Sequence, residues 1–289
     1  MSLCFTTVVS ANDYAHYIPF YLQSLALAYP HYHAKIFVRG KIKNRFALES
    51  LNKDHFHIVE DFCSDIKELP STCSALRFLI DGKHFHAYDN VVFTDVDIVF
   101  AQQRESPQHY FEKHMGNYGY AAMGGAKHNP PRPQITENWT GSFTRVIANM
   151  FAVERKWFDK TKEVREYYLK RICKGVPDSY DNHRPASYRE YDEVLLFRIL
   201  WLSKMKIPLS LYCFQDGKQF DFQYRQIHLG DFRKDGVKRN PKKYFDKGNL
   251  QWFRDVIHKD LKWRELYDLV PNGTEAAKTV KKLKAYACK

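Results

Sequence analysis

The stretch VVFTDVDIVF (91–100) carries two carboxylates, Asp95 and Asp97, in a run whose other residues, apart from Thr94, are apolar. An isolated buried carboxylate is costly, so such a pair calls for a cation, a metal, a proton or a strand end facing solvent. Alternate residues of a strand share a face, which points Asp95 and Asp97 one way and Val96 and Ile98 the other. The stretch reads as the fourth strand of the chain. LCFTTVVS (3–10), AKIFVR (34–39) and FHIVEDF (56–62) supply the first three. Between them, Tyr17, Ile18, Tyr21, Leu22 and Leu25 recur at helical spacing over Tyr14 to Ala28, RFALESLN (45–52) reads as a short helix, and SALRFLI (74–80) is helical.

Strands alternating with helices predict an α/β fold with a mixed, mainly parallel sheet flanked by helices. Ligands in such sheets bind beyond the carboxyl ends of the strands. After the two aspartates the pattern continues less regularly. GYAAMGG (119–125) and ANMFAVE (148–154) read as strands and enclose a Pro-rich loop, AKHNPPRPQITENWTGS (126–142). TKEVREYYLKRICK (161–174) is an amphipathic helix, and EVLLFRILWLSKM (193–205) is apolar all round and reads as buried. LSLYCF (209–214) and YRQIHL (224–229) are expected as late strands.

The 289 residues and 44% hydrophobic content suit one large domain with an appendage. The formal net charge is +12, and residues 233–289 hold 16 Lys and Arg against 7 Asp and Glu, so the basic character belongs to the C-terminus. No helix-turn-helix, zinc or RNA-recognition signature accompanies it, and nucleic acid is not expected as a partner. The basic tail suits peripheral contact with an anionic membrane instead. Six scattered cysteines without a C-x-x-C pair, no signal-like N-terminus and no run near the ~18 apolar residues of a span point to the cytoplasm. Histidine triplets at 31–33, 55–57 and 84–86 are read as loop or strand-edge residues rather than zinc ligands.

Two carboxylates meeting at a strand's rim suit a hard divalent cation that holds a diphosphate. The order of the surrounding segments gives this a family context: VVSANDYAHYIPFYLQSL (8–25), SALRFLI ahead of YDNVVFTDVDIVF (88–100), ANMFAVERKWF (148–158), YDEVLLFRIL (191–200) followed by IPLSLYCF (207–214), and QIHLGDFRK (226–234). Together they resemble the nucleotide-sugar glycosyltransferases of GT-A fold, most closely glycosyltransferase family 8, from residue 7 to about residue 234.

The resemblance implies a transferase domain over 1–234, with a nucleotide-binding half (1–100) and an acceptor half (101–234), and a basic helical extension over 235–289. It implies that Ala11, Asp13 and Tyr14 border the nucleotide base and that Arg77 approaches the donor's phosphates or sugar. Asp95 would touch ribose and metal, Asp97 and His228 would bind the metal, Asn149 would lie in the middle strand of the donor site, and Gly230 and Lys234 would lie beside the diphosphate. Asp192 and Glu193 fall in an acidic segment beside the sugar, where one orients the donor or serves as acid or base. The cofactor implied is Mn²⁺ or Mg²⁺, with the imidazole favouring Mn²⁺. The partners implied are a nucleotide-sugar donor, most simply a UDP-sugar, and a glycan or lipid-linked acceptor, with retention at the sugar.

The late motif departs from the family, with glycine two residues after the histidine instead of three and no Lys-Pro-Trp; Ala148-Asn149-Met150 replaces Asn-x-Gly; and the acidic segment aligns to either Glu190 or Asp192. A rival reading uses the same residues. DVDIV (95–99) and GDFRKD (230–235) fit the haloacid-dehalogenase-like phosphatases, with Asp95 as nucleophile, Asp97 as general acid, and Asp231 and Asp235 on Mg²⁺. That first motif normally sits on a chain's first strand, and here three strands precede it.

Overall fold

The computed structural model describes residues 2–66, 72–102, 106–115, 120–122, 126–128, 144–146, 150–174, 191–205, 226–233 and 248–288. Its strands are β1 (Leu3–Ser10), β2 (His33–Arg39), β3 (Phe56–Val59), β4 (Asn90–Thr94), β5 (Ile98–Phe100), β6 (Tyr120–Ala122), β7 (Ala126–His128), β8 (Thr144–Val146), β9 (Met150–Glu154) and β10 (Gln226–His228). Its helices include α1 (Ile18–Ala28), α2 (Lys162–Cys173), α3 (Tyr191–Leu202), α4 (Leu261–Leu269) and α5 (Glu275–Ala287). The chain groups into two units, each discontinuous in sequence: Met1–Leu3, Cys63–Thr94 and Gln108–Gln219 in one, Cys4–Phe62, Asp95–Pro107 and Phe220–Lys289 in the other. Strands of both parallel and antiparallel pairing, flanked by helices, make the fold α/β.

In the second unit β1, β2 and β3 run parallel in the order β3-β2-β1. Every residue of β1 is buried, as its unbroken apolar and β-branched run leads one to expect of a strand covered on both faces. Gly40 ends β2 with φ +86°, a backbone that favours glycine, and its turn lets Ala11 N–H donate to the Arg39 carbonyl at 2.9 Å.

The first helical segment starts with a 3-10 turn, Asp13–Tyr17, where the Asn12 side chain accepts from Tyr14 N–H at 3.3 Å. Pro19 then sits at the start of α1, where a missing N–H costs nothing. α1 is buried on most of its surface, and one polar group within it and one at its C-cap hold β5 in place. Ser24 Oγ accepts from Phe100 N–H at 3.1 Å, and Tyr29 Oη donates to the Ala101 carbonyl at 2.9 Å. β5 in turn pairs antiparallel with β10, placing Ile98 opposite His228 and Phe100 opposite Gln226. The C-terminal helices complete this unit. Trp263 of α4 packs on Phe20 of α1 with ring centroids 5.1 Å apart, and α5 buries Ala276, Ala277, Thr279, Val280, Leu283 and Ala287 while its lysines face out.

In the first unit β9 lies between β4 and β6, antiparallel to both. Phe78, Phe93, Phe151 and Trp157 form an aromatic core around it. Arg165 of α2 is buried in that core, where it donates to the Ile80 and Phe158 carbonyls and to Thr161 Oγ1. Desolvation lowers its pKa to about 10. α3 buries Leu195, Leu196, Phe197, Ile199 and Leu200, in line with its apolar sequence.

Two expectations need correction. The tract read wholly as a Pro-rich loop contributes β7, whose Ala126 pairs with Val146 and His128 with Thr144. The stretch read as one strand is two, and the reason lies in the charges it carries. β4 ends at Thr94, β5 starts at Ile98, and residues 95–97 form a bend. A strand buried on both faces offers no place for two ionised carboxylates, and the bend gives them one. The expected strand at 209–214 lies outside the described residues, as does Glu190. Among the described residues no helix is long and apolar enough to cross a membrane.

Candidate metal site

The register of β5 and β10 decides the site. Because Ile98 faces His228, Asp97 falls beside Leu229, whose N–H donates to the Asp97 carbonyl at 2.7 Å. The imidazole then lies between the two carboxylates: His228 Nε2 is 3.6 Å from Asp95 Oδ2 and 3.5 Å from Asp97 Oδ1. One ligand atom from each of Asp95, Asp97 and His228 lies within 4.8 Å of the others. Asp97 is almost closed off, its side chain 7% exposed, whereas Asp95 and His228 keep 26% and 29%. Among the described residues no other group of three or more His, Cys, Asp or Glu side chains comes together in this way, although the rings of His33 and His55 approach to 6.3 Å.

Gly230 makes room for the imidazole. A Cβ at that position would stand 2.5 Å from His228 Cε1, 2.7 Å from Nδ1 and 3.3 Å from Asp97 Oδ2.

Arg233 closes the other side of Asp97. Its Nη2 donates to Asp97 Oδ2 at 2.6 Å, Nη1 to Tyr14 Oη at 2.9 Å and Nε to Tyr17 Oη at 3.2 Å, and Nε is 3.0 Å from Glu275 Oε1 at the start of α5. The guanidinium also lies 4.8 Å from the Tyr14 ring centroid and 5.1 Å from that of Tyr17, within cation–π range. Burial opposes its charge, but Asp97 and the two tyrosines more than offset this and hold its pKa above the usual arginine value. Burial also raises both tyrosine pKa values.

The donor set fits a divalent cation. Metal–ligand bonds of about 2.1 Å put neighbouring ligand atoms ~3 Å apart and opposite ones ~4.2 Å apart, and the observed 3.5 and 3.6 Å fall between. Two carboxylate oxygens with an imidazole nitrogen are a set that Mn²⁺ accepts more readily than Mg²⁺.

The other residues singled out in the sequence are placed as follows. Arg77 and Asp192 meet inside the first unit, Nη2 to Oδ2 at 2.8 Å, and Arg77 Nη1 also donates to the Thr94 carbonyl at 3.1 Å. Both are largely buried, at 2% and 14% side-chain exposure. Glu193 is half-buried on the next position of α3, and Tyr14 is 44% exposed. Ala11 lies at the end of β1, and Asp13 opens the 3-10 turn that follows. Asn149, Lys234 and Asp235 lie outside the described residues.

Sequence reasoning missed Arg233, Tyr17 and Glu275. The motif HLGDFRK did contain Arg233, one residue before the lysine assigned to the diphosphate. Leu229–Phe232 form a 3-10 turn, whose tighter winding aims residue 233 back at Asp97. Glu275 carries no local signal, because its place depends on how α5 packs.

No family model matches the chain, and no curated protein matches it. Among solved structures, the apo form of the glycosyltransferase GlyE of Streptococcus pneumoniae TIGR4 superposes with 14% identity and a TM-score of 0.41, covering 69% of this chain and 42% of GlyE. This chain therefore spans about two fifths of GlyE. The galactosyltransferase LgtC, in complex with donor and acceptor sugar analogues, gives 13% identity and a TM-score of 0.43, over 92% of this chain and 100% of that one. Core-mannan synthase A of Aspergillus fumigatus, in its Mn/GDP form, gives 9% identity and 0.41, over 66% and 69%.

Proposed function

We propose that this protein is a metal-dependent glycosyltransferase of GT-A type. It would move a sugar from a nucleotide-diphosphate donor, a UDP-sugar, to a hydroxyl of a glycan or lipid-linked acceptor, with retention. The observation that carries the reading is the convergence of Asp95, Asp97 and His228, two residues of one motif and one from far along the chain, on a single point. A divalent cation, Mn²⁺ or Mg²⁺, held by these three would when bound offset the negative charge that develops on a departing diphosphate.

The chain's own residues supply the rest. Asp97 is buried and fixed at both its carbonyl and its Oδ2, so it presents Oδ1 in a set direction. Asp95, more exposed, would meet both a cation and a donor hydroxyl. Tyr14 keeps the base-side role that the resemblance implies, together with Ala11 and Asp13. On the resemblance, Arg77 would act toward the donor's phosphates or sugar, and Asp192 or Glu193 would orient the donor or move a proton. Residues 1–234 would carry the transfer. The extension 235–289, with Lys278, Lys281, Lys282 and Lys284 exposed on α5, would rest on an anionic membrane at the cytoplasmic side.

The phosphatase reading is not favoured. Its first motif belongs on a chain's first strand, and here β1, β2 and β3 all precede Asp95.

Calorimetry with UDP and GDP, each with and without Mn²⁺, tests the proposal. UDP should bind in the presence of Mn²⁺ and the Asp97→Ala variant should lose that binding. Nucleotide binding that ignores the metal, or that survives Asp97→Ala unchanged, would sink it. Release of phosphate from a generic aryl phosphate would point to the phosphatase chemistry instead.

A further inference from the structure

We propose that Arg233 is a positioning residue that fixes Asp97 as a one-oxygen metal ligand, and that Glu275 fixes Arg233, which makes helix α5 part of the metal site. The proposal rests on the metal-site reading above and adds to it a wall that no motif announces. Arg233 is pinned at all three of its nitrogens: Nη2 on Asp97, Nη1 on Tyr14, and Nε on Tyr17 and Glu275. A planar fork held at three points cannot turn without breaking several contacts at once, which a lysine in its place could not reproduce.

The consequence falls on Asp97. Its Oδ2 is taken by the guanidinium at 2.6 Å, and its Oδ1 is the atom that faces His228 at 3.5 Å. The carboxylate plane is thereby set, and one oxygen is left on the metal side. Outer-shell partners of this kind orient ligands and are worth about 10- to 100-fold in metal affinity.

Glu275 is placed by α5 itself. Thr274 Oγ1 caps the helix by accepting from Ala277 N–H at 3.2 Å, Thr279 Oγ1 lies 3.4 Å from Tyr17 Oη, and Phe232 packs on Tyr286 with centroids 5.9 Å apart. The same helix thus reaches Tyr17, the turn before Arg233, and Arg233.

Charge and orientation act in opposite directions here, which makes them separable. A guanidinium next to a cation site weakens cation binding by repulsion, so its removal as a mere charge would tighten it. Glu275 carries the balancing charge. The double variant Arg233→Met with Glu275→Gln therefore removes both charges, leaves the net charge of the site unchanged, and deletes the support for Asp97 together with the contacts of Arg233 to Tyr14 and Tyr17.

The experiment is Mn²⁺ binding by the full chain, read from the electron paramagnetic resonance of free Mn²⁺ without nucleotide or turnover, with thermal unfolding as a check of the fold. The double variant should bind Mn²⁺ about 10- to 100-fold more weakly than wild type. Arg233→Lys, which keeps the charge and loses the fork, should also bind more weakly. Wild-type or tighter binding by the double variant overturns the proposal. If that variant does not fold, Arg233→Lys and Glu275→Gln decide in its place, and unchanged Mn²⁺ affinity in both overturns it. A wild-type protein that takes up no Mn²⁺ overturns the metal reading itself, so the two failures are distinguishable.

Discussion

Replacing Gly230 by alanine tests the site at the atom where it is tightest. The added Cβ would stand 2.5 Å from His228 Cε1 and 2.7 Å from Nδ1, inside ordinary van der Waals contact. Carbon atoms settle at about 3.5 Å or more, so the imidazole must give way by roughly 1 Å. The backbone of Gly230 is not in the left-handed region, so alanine brings no strain of its own, and the half-exposed ring can swing toward solvent. The stability cost should therefore stay below the ~1–3 kcal/mol of core overpacking. Metal binding has no such freedom, because ligand distances tolerate only about ±0.2 Å. Gly230→Ala should weaken Mn²⁺ binding by at least about 10-fold while the unfolding midpoint barely moves. Gly273→Ala, where a Cβ meets nothing within 4 Å, is the control and should leave both unchanged. Wild-type Mn²⁺ affinity in Gly230→Ala, measured by titration on folded protein, would refute the placement of the His228 ring.

Two further outcomes follow from buried groups. Arg77→Ala removes a counter-ion of Asp192 in a largely buried setting and should destabilise the protein by about 3 kcal/mol; thermal unfolding measures this, and Asp192→Asn in the same background should recover part of it. Tyr267 accepts from Trp263 Nε1 at 3.0 Å, and burial pushes its pKa from 10.0 up to about 12. The folded state then holds the phenolic proton more tightly than the unfolded one. Stability is full below pH 10 and falls as the pH rises from 10 toward 12, by roughly 2–3 kcal/mol in all. Denaturant titrations across that range should show the fall in wild type and a smaller one in Tyr267→Phe.

Much of the fold was legible because it follows local pattern. LCFTTVVS, the helical repeat of Tyr17 to Leu25 and the apolar run of 193–205 each became the element their periodicity predicts, within a few residues. The break at 95–97 was not legible. VVFTDVDIVF contains no Gly or Pro to mark a bend, and the partner that β5 takes beyond the bend, β10, lies more than a hundred residues downstream. β7 was hidden for a related reason, since its three residues run straight into Asn129-Pro130-Pro131 and gain strand character only by pairing with β8. At the site, Asp95 and Asp97 could be picked from their alternation in an apolar run, and His228 from the family resemblance. Arg233 could have been picked only by weighing it against its neighbour Lys234, and Glu275 not at all.

The misread bend is what makes the site geometrically possible. Two side chains on one face of a continuous strand stand two residues apart, a separation of about 6.6–6.8 Å. Carboxylates held that far apart would reach a common cation only by leaning toward each other along the strand. With the strand broken at Asp95, the two carboxylates present ligand atoms that lie within 4.8 Å of each other and of His228. The break also lets β5 take its own antiparallel partner, and that pairing is what brings His228 opposite Ile98. A single local departure from regular structure therefore does two things at once: it draws the aspartates together and admits the strand that carries the histidine. The expense of placing two charges in an apolar run explains the bend, and the bend in turn explains why the third ligand comes from so late in the chain.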